Sequence, residues 1–506
     1  MNLNLLRALL SAVLLGSAQF SMAQPVAEGL PLEMASAGVT QAEWEAVRTE
    51  VKLHSRRAQV SEQALLAAAE ATGARFAASG RFNALSLQQA VFEALKDQAD
   101  QLADLQARLD SLISDTDPAI ADLFNQAREA LNAGHLLKAD RILADVATRD
   151  LAGMQRADAD VERLRTRAGE TMAIRGKVAM LQADFPAAAD FYQRAADTVA
   201  PADTVHRSLF LLARASVLGQ AGQIEDDASA VRQALQLLNG DVSLLARDDQ
   251  QFIAVVQTFV CDFERHLARW DGPSALHRAA AACNAVISAD ALAPEGTRAS
   301  ALMNYGNVLA AQGDWSRAAA TYNSARLLNT SIGNEADAMA AAISYATATA
   351  EAGASNFDPS EIESAIRVLS QLINEMDDEH TADWAGGQIN LGNAQLLLSD
   401  VTGQIQPLLD AQYSYLLAVN FFNHESTPAS WAKANKNYAL ASERIATKAI
   451  ATGRTQIAVQ ALQNVVQANE NVMLVRTRER DPKGWEEAHS ARIQALSILS
   501  ELGTRP

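Results

Sequence analysis

Eight histidines, two cysteines and 60 acidic side chains are the groups with which this chain could bind a metal or move a proton. The histidines stand singly, and none forms a His-Glu-x-x-His or His-x3-His pair that one helical face could offer to zinc. His380 has carboxylate company, in Asp377-Asp378-Glu379-His380-Thr381-Ala382-Asp383, a run that reads either as a hard-cation site or as a solvated loop. Gly176-Lys177 lacks both the earlier glycine and the following Ser or Thr of a phosphate-binding loop, and no serine sits in a nucleophile elbow. No catalytic set assembles, so the expectation is a protein without enzymatic activity, cofactor or bound metal. Cys261 and Cys283 each lie eleven residues from Gly272, on either side of the strong turn Trp270-Asp271-Gly272-Pro273. Equal distances from a hairpin turn put the two sulfurs at one height, and Ala279 to Ala282 are small enough for close approach. A disulfide is expected, two buried free thiols being the alternative.

The elements that must position these groups are helical. At 506 residues the chain exceeds a single core, and it is rich in Ala, with 12 Pro and 5% aromatic residues, as an all-α array of closely crossing helices requires. Residues 1–23 carry Arg7, the apolar run Ala8 to Leu15 and the small-x-small site Ser21-Met22-Ala23, the pattern of a secretory signal peptide cleaved after Ala23. A membrane anchor is the other reading, but the apolar run is short for a span and no positive flank follows it. No cysteine adjoins the site to take a lipid. The chain is therefore expected to be periplasmic or secreted, with no membrane span once processed. Removing the signal leaves 60 acidic against 41 basic groups, a net charge of −19 that repels nucleic acid and anionic membranes.

Residues 24–38 hold Pro25, Gly29 and Pro31 without a period and read as a flexible leader. In residues 39–116, two series recur at alternating spacings of three and four: Trp44, Val47, Val51, His54, Ala58, and Val91, Leu95, Gln98, Leu102, Leu105, Leu109, Leu112. Both are heptad seams, and Gly73, Gly80 and Asn83 between them read as a breaker that folds two helical regions into a hairpin. The seams would pair either between chains, as a coiled coil making a homo-oligomer, or within one chain.

From Asp117 a unit repeats. Its clearest copy is Ala299 to Ile332: Gly306, then Ala318, Tyr322 and Ala325 at i, i+4 and i+7 of a second helix beyond the Gly313-Asp314 turn. Ala127, Ala139, Leu143, Val146 and Gly176, Ala188, Tyr192, Ala195 have the same spacing, and Ala215, Gly222, Ala228, Val231, Ala234 come close to it. Three later units, Ala346 to Ala365, Gly392 to Ala411 and Ala439 to Ala458, place nineteen residues between their small positions in place of twelve, which requires a longer turn or about one added turn per helix. The openings at Trp384 and Trp431 align, with Asn390 and Asn437 six residues on, and residues 484–506 repeat only the beginning, as a capping helix would.

The small–small–aromatic–small pattern resembles the tetratricopeptide repeat (TPR) over residues 117–483. The resemblance implies a right-handed α-solenoid of TPR-like helix pairs, preceded here by the helical, coiled-coil-like region. With its heptads, the chain is also similar in architecture to envelope-assembly factors that join a coiled coil to such repeats. In tetratricopeptide solenoids the first helix of each pair lines a concave groove, and counting the small residue as position eight directs Asn304, Asn307, Asn390, Asn393, Lys433, Lys436 and Asn437 into it. Similar proteins use Asn and Lys there to hold a peptide backbone or terminal carboxylate; an amide at position six also serves simply to bond neighbouring helices. The function expected is a non-catalytic scaffold holding a peptide of an envelope protein. The alternative is an exported enzyme with its site in the groove, which would gather titratable pairs on adjacent first helices where the sequence has amides and lysines.

Overall fold

The computed structural model describes residues 30–79, 82–114, 118–154, 161–289, 292–376 and 382–503. These are helical with no strand, and sequential helices pair across short turns, so the fold is an all-α solenoid of helix pairs. Residues 1–23, expected to be a signal peptide, residues 24–29 of the expected leader and the run 377–381 with His380 lie outside the described residues. The chain divides into two compact units, Met1–Ala285 and Val286–Pro506.

The first unit contains α1 (Leu32–Ser36), α2 (Gln41–Ala58), α3 (Glu62–Ser79), α4 (Ala84–Ser114), α5 (Pro118–Asn132), α6 (Leu136–Met154), α7 (Val161–Leu181), α8 (Phe185–Thr198) and α9 (Thr204–Ile224). It continues with α10 (Ala228–Leu237), a π-helical turn at Leu238–Val242, α11 (Ser243–Leu245), α12 (Gln250–Asp271) and α13 (Pro273–Ser288), the unit boundary falling in the last turn of α13. Both heptad seams are spent inside the chain. Trp44, Val47 and Val51 of α2 and Val91, Leu95, Leu102, Leu105 and Leu109 of α4 are buried in one core with Phe124, Ala127 and Leu143 of the first repeat. In that core the seams pair within one chain, with the first repeat as their partner.

Two further details of this region differ from the sequence expectation. The leader is not flexible throughout: α1 buries Met34 completely, and the Met34 thioether lies where a Cβ on Gly73 would stand, 2.3 Å from it. Gly73 is therefore no breaker but the middle of α3, kept bare so that α1 can close on it, and the region holds three main helices in place of a two-helix hairpin. Polar ties add register: Arg108 on α4 bonds Glu170 on α7 (2.9 Å), and Asp104 pairs with Lys177, whose burial lowers its pKa to about 8.

The second unit contains α14 (Glu295–Ala311), α15 (Trp315–Ser331), α16 (Glu335–Asn356), α17 (Pro359–Glu375), α18 (Ala382–Thr402), α19 (Gln406–Phe421), α20 (Pro428–Ala451), α21 (Thr455–Val475) and α22 (Pro482–Glu501). Asp314, Asn334, Asp358 and Asp481 cap α15, α16, α17 and α22 by accepting from the first-turn N–H groups. The small positions are where helices cross. A Cβ on Gly306 would stand 2.4 Å from the Tyr322 ring, and one on Gly392 2.6 Å from that of Tyr415; Gly176 and Tyr192 in the first unit repeat the device at 3.0 Å. The extra residues of the later units lengthen helices and leave the turns short. The first helix α14 has 17 residues, whereas α16, α18 and α20 have 22, 21 and 24. The last described helix, α22, lays Ala495 and Leu499 on the core of α18 to α21.

Candidate functional site

The first helices α18, α20 and α22 stand side by side in the second unit. Arg444 of α20 pairs with Asp400 of α18, Lys448 donates to the Gly403 carbonyl just beyond α18 (2.6 Å), and Lys436 of α20 donates to Glu487 of α22 (2.8 Å). Asn390, Asn393, Lys433, Lys436 and Asn437 are thereby brought onto adjacent helices. Asn304 and Asn307 are on α14, which α16 separates from that group, so the seven residues do not form one cluster.

Their present bonds divide them. Asn307 Oδ1 accepts from the Tyr322 hydroxyl and Asn393 Oδ1 from the Tyr415 hydroxyl, both at 2.7 Å. In each case the amide follows the crossing glycine and locks the aromatic of the second helix that fills the space above it. These two amides act within their own repeat. Asn304, Asn390, Lys433 and Asn437 have no hydrogen-bond partner among the described residues, and Lys433 is exposed. Lys436 keeps 56% of its side chain in solvent beside a Glu487 that keeps 46%. The Lys436 ammonium holds the Glu487 carboxyl below its usual range, first through the hydrogen bond and then through charge, with Lys483 and Arg476 adding to the effect. The site thus already binds a carboxylate, one supplied by its own chain.

A structural amide that sequence reasoning missed lies between these residues. Asn435 is buried, its Nδ2 donates to the Trp431 carbonyl (2.9 Å) and its Oδ1 accepts from Asn471 of α21 (2.9 Å). Only the rotation of α20 about its axis distinguishes it from Asn437 two positions on. In the first unit Cys261 and Cys283 are placed at disulfide distance, with Cα atoms 5.3 Å apart. Among the described residues no group of three His, Cys, Asp or Glu side chains could hold a metal, and no helix is long and apolar enough to cross a membrane.

No protein-family model matches the chain, and no curated protein does. Among solved structures, it is similar to a signal-transduction ATPase with numerous domains (STAND) protein with a tetratricopeptide repeat sensor from Pyrococcus horikoshii. That match has 11% identity, covers 99% of this chain and 69% of the other, and has a TM-score of 0.32. A circular tandem repeat protein with novel repeat topology matches at 13% identity over 90% of this chain and 97% of its own, with a TM-score of 0.17. The tetratricopeptide-like description of this chain rests on its own consecutive helix pairs and on the glycine–tyrosine crossings within them.

Proposed function

We propose that the chain is a non-catalytic, exported scaffold whose second unit holds an acidic or carboxylate-ended peptide segment of a cell-envelope protein across α18, α20 and α22. The observation that carries this reading is the exposed Lys436–Glu487 pair: on a chain of net charge −18, this face gathers lysines and engages a carboxylate in open solvent. Lys433, Asn390 and Asn437, without partners among the described residues, extend the same face. An exported location agrees with the cysteine pair, since thiols at disulfide distance stay bonded in an oxidising compartment.

The test uses fluorescence anisotropy with labelled acidic peptides carrying a free or an amidated carboxyl terminus, on the mature protein. Lys433→Ala together with Asn437→Ala is expected to weaken binding about tenfold or more, a change of about 1.4 kcal/mol per decade. Added salt should weaken it further. Glu487→Ala should strengthen it, because the peptide carboxylate no longer competes with an internal one. Unchanged affinity in both variants sinks the reading.

A further inference from the structure

The outward side of α19 departs from the other second helices of the second unit. Aligned on their small crossing residues, Ala318, Ala365, Ala411 and Ala458, the helices present three outward positions two before, two after and five after it. In α15 these are Ser316, Ala320 and Asn323; in α17 Glu363, Arg367 and Ser370; in α21 Gln456, Gln460 and Gln463. In α19 they are Leu409, Tyr413 and Leu416, exposed by 39%, 63% and 36%. Spacings of four and three put all three on one stripe, opposite the core residues Leu408, Ala411, Tyr415 and Ala418. Beside the stripe a hollow of about 290 Å3 opens between α17, α18 and α19, its apolar wall made by Ile373, Leu391, Tyr413 and Leu417 and the rest of its lining polar, with Ser370, Asn374, Gln388, Gln395 and Ser414 and with Asp410 at its edge. A volume of that size takes one or two side chains.

Charge selects the occupant. On this side of α17 and α19 the exposed charges are the carboxylates Glu363, Glu375 and Asp410 against the one cation Arg367. Asp410 is exposed, bonded only to Gln406 of its own helix (2.8 Å) among the described residues, and Glu375 is exposed at the end of α17. A second copy of this chain would bring another −18 to an acidic face, whereas a cationic partner is attracted to it. We infer that this second-helix face docks an amphipathic helix of a partner protein, its apolar stripe laid against Leu409, Tyr413 and Leu416 beside the hollow and its flanks carrying lysine or arginine toward Asp410 and Glu375. This surface is separate from the α18–α20–α22 face and does not rest on the peptide-binding reading.

The experiment titrates the mature protein into two labelled synthetic helices of about 14 residues, with the same leucine stripe flanked by lysine in one and by glutamate in the other. The lysine peptide should bind saturably at one per chain and the glutamate peptide far more weakly. Tyr413→Ser with Leu416→Ser should weaken the lysine peptide about tenfold or more at unchanged helicity, as loss of an apolar anchor does. Asp410→Asn should weaken it several-fold and flatten its salt dependence, while the charge-matched control Asp248→Asn and the Lys433→Ala, Asn437→Ala pair leave it unchanged. Equal binding of the glutamate peptide overturns the inference, as does wild-type affinity in the Tyr413→Ser, Leu416→Ser variant. So does a concentration-dependent dimer in sedimentation that the same variant abolishes, which would give the face to a second copy.

Discussion

At the scale of single residues, the crossing tyrosines show how one position is treated differently along the array. The Tyr415 hydroxyl is satisfied by Asn393, whereas the Tyr192 hydroxyl is buried without a partner among the described residues, in the unit whose crossing glycine is followed by Lys177 in place of asparagine. Burial raises the pKa of both, so both stay neutral. Tyr415→Phe is expected to cost about 1 kcal/mol, and Tyr192→Phe to be neutral or to stabilise by about as much, since it removes an unpaid desolvation. Urea unfolding of the two variants checks the opposite signs. Glu70 adds a pH-dependent contribution. Burial raises its pKa to about 7, the Arg48 guanidinium opposing and Glu33 adding. The folded state then binds a proton that the unfolded state, near 4.5, gives up, so this group's contribution falls as pH rises from about 4.5 to about 7 and stays low above. Glu70→Gln should gain about 3 kcal/mol at pH 8 and about nothing at pH 4, and melts at those two pH values would show equal shifts if the idea is wrong.

At the scale of elements, the α12–α13 hairpin carries the covalent tie. Cys261 and Cys283 are 22 residues apart in sequence, and closing a loop of that size restricts the unfolded chain by about 3 kcal/mol. Cys261→Ser with Cys283→Ser should therefore lower stability by about that amount, as should reductant added to the wild type but not to the variant. Two titratable thiols in the unreduced, denatured protein would remove the tie altogether. The heptad helices make the complementary point. Their seams are ordinary core faces, so α2 and α4 belong to the same core as the first repeat.

At the scale of the molecule, an array of this kind gains core by adding helices one after another, and α22 extends the core of α18 to α21 through Ala495 and Leu499. The expected compartment follows from residues 1–23, and the mature chain is expected to begin at Gln24. Intact-mass measurement of protein recovered from the periplasm or medium tests this, and a cytosolic chain retaining Met1 would contradict it.

Local periodicity was enough to specify the helical class and the crossing positions, because apolar residues at three and four mark one face of a helix wherever it packs. It found the Gly306–Ala318–Tyr322 unit and the cysteine pair, whose equal distances from Gly272 are a property of the hairpin itself. Periodicity does not say what covers a face. Whether the seams of α2 and α4 meet a second chain or their own repeats, and whether Gly73 breaks a helix or admits Met34, is decided by contacts distant in sequence. The same holds for the amides. Asn307 and Asn393 are taken up by tyrosines 15 and 22 residues away, and Asn435 differs from Asn437 only by the rotation of α20. The exposed stripe on α19 is apolar at helical spacing like any core face, and only the tertiary structure leaves it uncovered.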